Sequence, residues 1–224
     1  MTDDHRRRRD SRLLGAASAA ALALAAALAS APASGADGKV WRIGVTKIVA
    51  HAALDADEKG FEDGLAAAGF KEGVNVVYDR QNAMGDMGKA DAIAARFAGG
   101  RVDLVHAIAT PTAQAVVKAV RDTPVIFSAV TDPVAAGIVP RDSAPGRKTG
   151  NNVTGVSDKW PVRLQMETYA RVVPQARTWG TIYNPAEANS VSHVSEMRDA
   201  ARALGLQLIE VHAGSAAEVT TAEK

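Results

Sequence analysis

The chain of 224 residues contains no cysteine. That absence excludes disulfides, thiolate metal sites and the acylated cysteine that tethers a lipoprotein after its leader is removed. Also missing are a Gly-x-Ser-x-Gly nucleophile elbow, a Gly-x-Gly-x-x-Gly dinucleotide turn and a phosphate loop ending in Gly-Lys-Ser or Gly-Lys-Thr. Without them the main sequence signatures of hydrolase and nucleotide chemistry are lacking. His51, His106, His193 and His212 have no i, i+4 partner on one helix, so no metal site is expected. No cofactor and no catalytic residue are expected either, because the acidic residues pair only as charges on helix surfaces. Charge of one sign is lacking too, with 26 Lys and Arg against 25 Asp and Glu. Beyond the first dozen residues no basic block is present to grip a phosphate backbone, which excludes nucleic acid as a partner.

What is present begins with a leader. His5 to Arg12 is basic, Leu13 to Ala29 is apolar and alanine-rich, and Ala31-Pro32-Ala33 is a small-x-small cleavage site. Residues 1–36 are therefore expected to be a signal peptide, and the run is too short and weakly apolar for a membrane anchor. Arg8-Arg9 leaves both the general secretory and the twin-arginine export routes open. Its removal takes away five Arg and three Asp and leaves a mature chain of formal charge −1. Export without an anchor or a lipid site implies the periplasm.

From Val40 onward, short apolar runs alternate with stretches of helical periodicity, which indicates βαβ units around a parallel sheet. Strands are expected at Val40 to Thr46, Val74 to Asp79, Asp103 to Ile108, Val125 to Ser128, Val153 to Ser157, Thr178 to Tyr183 and Gln207 to His212. Between them, Leu54, Phe61 and Leu65 share one helical face ahead of Gly69, and Asp86 caps a stripe ending at Gly99-Gly100. Thr110-Pro111 reads as an N-cap and a first-turn proline. Pro161 to Val173 and Val194 to Leu204 read as two more helices, and Ser215 to Glu218 as a capping box.

Three strand ends empty into small polar side chains: Ala109-Thr110-Pro111-Thr112, Ala129-Val130-Thr131-Asp132-Pro133 and Asn184-Pro185. Ligands of open α/β sheets settle beyond the carboxyl ends of the strands, so each end reads either as a pocket wall or as an ordinary turn. Thr110 and the neighbouring amides suit a carboxylate at a helix N-terminus. Ala129 offers backbone groups, Thr131 a hydroxyl, and Thr46 the floor. Asp132 is either the partner of an α-ammonium group or the acceptor of local amides in an Asp-Pro turn. Tyr183, Asn184, Asn189 and Ser190 face them, with helix capping the other reading for Asn189 and Ser190. His51 reads as a loop histidine, and Trp41, Trp160 and Trp179 as packing residues.

Seven blocks stand in order: Ile43 to Thr46, His51 to Asp55, Gly85-Asp86-Met87, Ala107 to Pro111, Ala129 to Val134, Asn152 to Asp158 and Ile182 to Ser190. Together they resemble the periplasmic substrate-binding proteins of ABC transporters, in the family that includes tryptophan-type aromatic amino-acid binders. The resemblance implies an α/β, two-lobed type I periplasmic-binding fold, with parallel sheets flanked by helices. A ligand would lie between the lobes, and the protein would deliver it to a permease with a cytoplasmic ATPase. It adds Ser157 and Asp158 to the candidate ligand residues, which also include Thr112 from the end of the third strand. The expected division is lobe one over residues 39–140, a connecting hinge over 141–157 and a second, incomplete lobe over 158–224. A 224-residue form is accordingly expected to bind weakly or fold poorly. The function implied is capture of a small amino-acid-like ligand for import. A ligand-sensing domain for a receptor and an exported α/β enzyme are the alternatives.

Overall fold

The computed structural model describes residues 38–222, so the leader expected over residues 1–36 lies outside the described residues. The chain runs β1 (Trp41–Lys47), α1 (Ala52–Ala67), β2 (Val76–Asn82), α2 (Met87–Gly99), β3 (Leu104–Ile108), α3 (Thr110–Ala119), β4 (Val125–Val130) and β5 (Val153–Ser157). It continues as α4 (Val162–Val172), β6 (Thr178–Tyr183), α5 (Ala188–Leu204), β7 (Gln207–His212) and α6 (Ala216–Ala222). Five strands form one sheet in the order β2-β1-β3-β4-β5, and β6 pairs with β7 in a second. Every pairing is parallel.

Alternation along the strands sorts the larger sheet's side chains onto two buried faces. Ile43, Val45, Val76 and Ile108 pack under Leu54, Phe61 and Leu65 of α1. Val105, Ala107, Val125, Phe127 and Val153 face the other way, against Ala90, Ala94 and Phe97 of α2 and Ala113 and Val116 of α3. Gly44 lies on that second face because the Phe97 ring presses on it: a Cβ there would stand 2.9 Å from the ring. In the second lobe, Val162 and Met166 of α4 meet Ala200 and Ala201 of α5 over Trp179 and Leu208. The opposite face of β6 and β7 leaves Ile182 and Ile209 exposed.

Element ends follow local chemistry. Asp86 caps α2 by accepting from Lys89 N at 3.0 Å, and Gly69 (φ 94°) and Gly205 (φ 66°) turn the chain after α1 and α5. Strand β2 starts two residues later than expected, because Asn75 closes a turn through Lys71 N (2.7 Å) and the Gly69 carbonyl (3.1 Å). His51 is an exposed loop histidine, as expected, and also the N-cap of α1, its Nδ1 accepting from Ala53 N at 3.2 Å. Two expectations are corrected. Thr110 is not a cap but the first residue of α3, since the chain turns at Ala109 with φ 79° and draws Thr110 inside. Not all acids are surface charges: Glu58 is buried and held by Lys47 Nζ at 2.6 Å, with Arg80 Nε at 3.6 Å.

Candidate functional site

The carboxyl ends of β3 and β4 are built on strained backbone. Ala109 (φ 79°, ψ 153°) and Ala129 (φ 51°) both occupy conformations that L side chains avoid. Such strain persists only where surrounding structure enforces it, and it concentrates where proteins bind or react. At Ala109 the enforcing contacts are visible. Thr112 Oγ donates to the Ile108 carbonyl and, at 3.0 Å, to the Ala109 carbonyl, while Ala109 N donates to the Ser128 carbonyl at 3.0 Å. At Ala129 the pairing of β4 with β5 slips between Phe127 and Val130, so β4 carries one extra residue there as a bulge.

Below the bulge lies a buried polar chain that the sequence pattern did not reveal. His106 is 1% exposed and its Nε2 meets Ser128 Oγ at 2.7 Å, while Ser128 Oγ donates to Asp57 on α1. Because the serine proton goes to Asp57, the hydroxyl must accept from Nε2–H, which leaves Nδ1 unprotonated and without a partner. Burial lowers the His106 pKa to about 4, against the weaker upward pull of Asp57 and Glu62. This order of groups does not make a hydrolytic triad, in which histidine takes the serine proton and its other nitrogen is oriented by the acid. It pins α1 to β3 and β4 directly beneath the strained turn at Ala129.

An open cleft of about 540 Å³ joins the end of β4 to the second lobe. Thr131 lines one side; Tyr183, Asn189, Ser190, Trp160 and Tyr169 line the other. Asn189 and Ser190 sit within the first turn of α5, whose N-cap Glu187 contributes no side-chain cap, so neither of them serves as the cap. Among the described residues, the buried Asn189 Oδ1 has no hydrogen-bond partner. Free amides at a helix N-terminus together with an unused acceptor are matched to a carboxylate and a donor such as an ammonium group. Tyr183 is held by its hydroxyl, which meets Glu210 Oε2 at 3.2 Å, Arg198 at 3.3 Å and His212 Nε2 at 3.2 Å. The Arg198 guanidinium beside Glu210 keeps that carboxyl below its ordinary pKa.

The remaining sequence candidates divide by their partners. Asp132 takes the turn role with one oxygen, since Oδ1 accepts from Ala135 N at 2.9 Å, and turns Oδ2 toward Lys159 Nζ at 3.7 Å. Ser157 Oγ donates to the Thr131 carbonyl at 2.9 Å, and Asp158 N donates to the Val130 carbonyl at 3.2 Å, so both brace the loop. Asn184 Oδ1 accepts from Ala186 N at 3.0 Å and shapes the turn before α5. Thr46, expected at the floor, and Thr110 and Thr112, expected at the end of β3, are 1%, 2% and 1% exposed and line none of the clefts described. Thr46 lies on the Gly44 face of β1 with its hydroxyl unpartnered in the core, and the Thr112 hydroxyl is consumed by the turn. Trp41 and Trp179 pack as expected, whereas Trp160 is 53% exposed and forms a cleft wall. Tyr169, Gln165 and His193 line the same cleft; the first two were not singled out in the sequence, and His193 was weighed there only as a metal ligand. No signal in one chain separates a helix residue facing solvent from one facing a cleft.

The chain is similar to several known proteins. Residues 42–224 match the family described as ABC transporter substrate binding protein. A tyrosine-binding protein of Clostridioides difficile is 38% identical over 180 residues, which cover 80% of this chain and 51% of that protein. The crystal structure of a conserved domain protein from Vibrio cholerae O1 biovar El Tor superposes with TM-score 0.78 at 41% identity, covering 82% of this chain and 61% of the other. A domain from Streptococcus pneumoniae solved in complex with L-Trp gives TM-score 0.77 at 37% identity, with coverage of 82% and 61%. The chain thus spans 51% to 61% of the length of these relatives.

Proposed function

The chain belongs to the ABC transporter substrate-binding protein family, with its two-lobed type I periplasmic-binding fold, and on that premise we propose that it captures a small amino-acid-like ligand between its lobes. The observation that carries the reading is the cleft in which Thr131, from the end of β4, faces Tyr183, Asn189 and Ser190. Its volume of about 540 Å³ falls within the range of small-molecule sites. The α5 amides would receive the ligand carboxylate, and Asn189 Oδ1 its ammonium group. Trp160 and Tyr169 would pack on the side chain, and two aromatic walls favour an aromatic ring over an aliphatic one. The relatives described as binding tyrosine and L-Trp support the same choice.

In this reading the protein is exported, works in the periplasm free of the membrane, and hands its ligand to a permease with a cytoplasmic ATPase. Ala129 and Asp132 complete the first jaw, whereas Thr110, 2% exposed, is shut inside the fold. Residues 158–161 carry the chain across to the second jaw, later than the 141–157 expected, because β5 pairs with β4 in the first sheet. Contacts on both jaws are what closure requires, because a ligand shifts the open and closed populations only by its differential affinity for them. Titration calorimetry against the common amino acids tests the proposal. Heat is expected with tyrosine or tryptophan, and W160A should weaken that binding roughly tenfold. Absence of heat with every amino acid would refute it.

A further inference from the structure

We infer that Lys159 is a positioning residue for capture: its side chain ties the end of β4 to α5 and sets how closely the two jaws stand before a ligand arrives. The inference rests on the two-jaw reading above. The main chain at this point moves with the larger sheet, since Lys159 N donates to Ser157 Oγ at 3.2 Å and that hydroxyl donates to the Thr131 carbonyl. Its ammonium group reaches the other lobe, meeting Glu196 Oε1 of α5 at 2.8 Å while standing 3.7 Å from Asp132 Oδ2. One cation is therefore shared between a carboxylate from each jaw, on the wall of a second open cleft of about 510 Å³. Asp132 is oriented toward Lys159 by the hydrogen bond that its Oδ1 accepts from Ala135 N. Glu196 is equally fixed in place by its helix, since α5 is packed through Ala200 and Ala201 onto α4.

The consequence is mechanical. With the strap intact, the ligand-free lobes stand near one another and little reorganisation precedes binding. The Lys159 side chain is 51% exposed, so solvent and salt weaken the strap, and its effect on affinity is modest.

The test uses the absence of native cysteine, which makes K118C on α3 and A203C on α5 unique sites for a pair of spin labels. The distance between them is measured without ligand, so it reports on the strap whether or not an amino acid binds. K159M and E196Q should each lengthen and broaden the distance distribution, with no further change in the double variant, and K159R should restore the parental distribution. High salt should lengthen the parental distance and leave K159M unchanged. Affinity for the aromatic amino acid should fall about two- to fivefold in K159M. A parental distribution in K159M, or additive effects of K159M and E196Q, would overturn the inference. Failure of the ligand proposal shows separately, as absent heat with unaltered strap distances.

Discussion

At the scale of single residues, His106 is the most consequential side chain that composition leaves unremarked. Its neutral form is required by a site that is 1% exposed, with the Phe61 ring 4.1 Å away and Ser128 as its one hydrogen-bond partner. Folded, it titrates near 4; unfolded, near the ordinary 6.5. Between those values the unfolded chain holds more protons, so stability rises with pH there. The His106 contribution is complete above about pH 7 and lost as pH falls toward 4, a change of about 3 kcal/mol. Urea denaturation from pH 7 to pH 4 should show this slope in the parent and lose it in H106Q. The sequence showed a lone histidine in a strand. That its ring is sealed under α1 depends on Asp57 and Phe61, from another element, and no local pattern encodes that encounter.

At the scale of elements, the strand and helix positions follow from periodicity and punctuation, and most were legible. Gly155 shows where legibility stopped. A Cβ there would stand 2.1 Å from the Phe127 carbonyl oxygen, so the approach of β4 to β5 admits no side chain at all. G155A should cost at least about 2 kcal/mol through overpacking and should loosen Ser157 from Thr131. Gly60, exposed on α1 with open space around its Cβ position, is the matched control. There G60A should add up to about 1 kcal/mol, because alanine is the better helix former. Urea midpoints of the two variants should move in opposite directions. In the sequence both are glycines in regular elements, and only the neighbour across the sheet tells them apart. The same holds for Thr110, whose Thr-Pro pair reads as a cap until Ala109 takes the turn upon itself.

At the scale of the whole molecule, the two parallel sheets present their carboxyl ends toward a shared cleft, and the chain crosses between them just after β5. Binding that involves both lobes stabilises the folded protein as a unit. Ligand at 100 times its dissociation constant should raise unfolding free energy by about 2.7 kcal/mol. Urea denaturation with and without tryptophan or tyrosine measures this, and glycine serves as the comparison ligand. A rise equal for glycine and the aromatic amino acids would count against Trp160 and Tyr169 as the ring's walls.

The sequence by itself determined the α/β class, the order of strands and helices, and three polar strand ends, because these depend on periodicity, turn chemistry and near-neighbour sterics. It also carried the family blocks through which Thr131, Tyr183, Asn189 and Ser190 could be named together. Only the tertiary structure decided which of those groups remain available. Thr46 went into the core, Thr112 into a turn, and one oxygen of Asp132 into a local amide contact, while Trp160 and Tyr169 came out to the cleft. The physical reason is that a polar side chain serves a ligand only if nothing in the fold has already satisfied or sealed it. That is settled by what packs against it from distant parts of the chain.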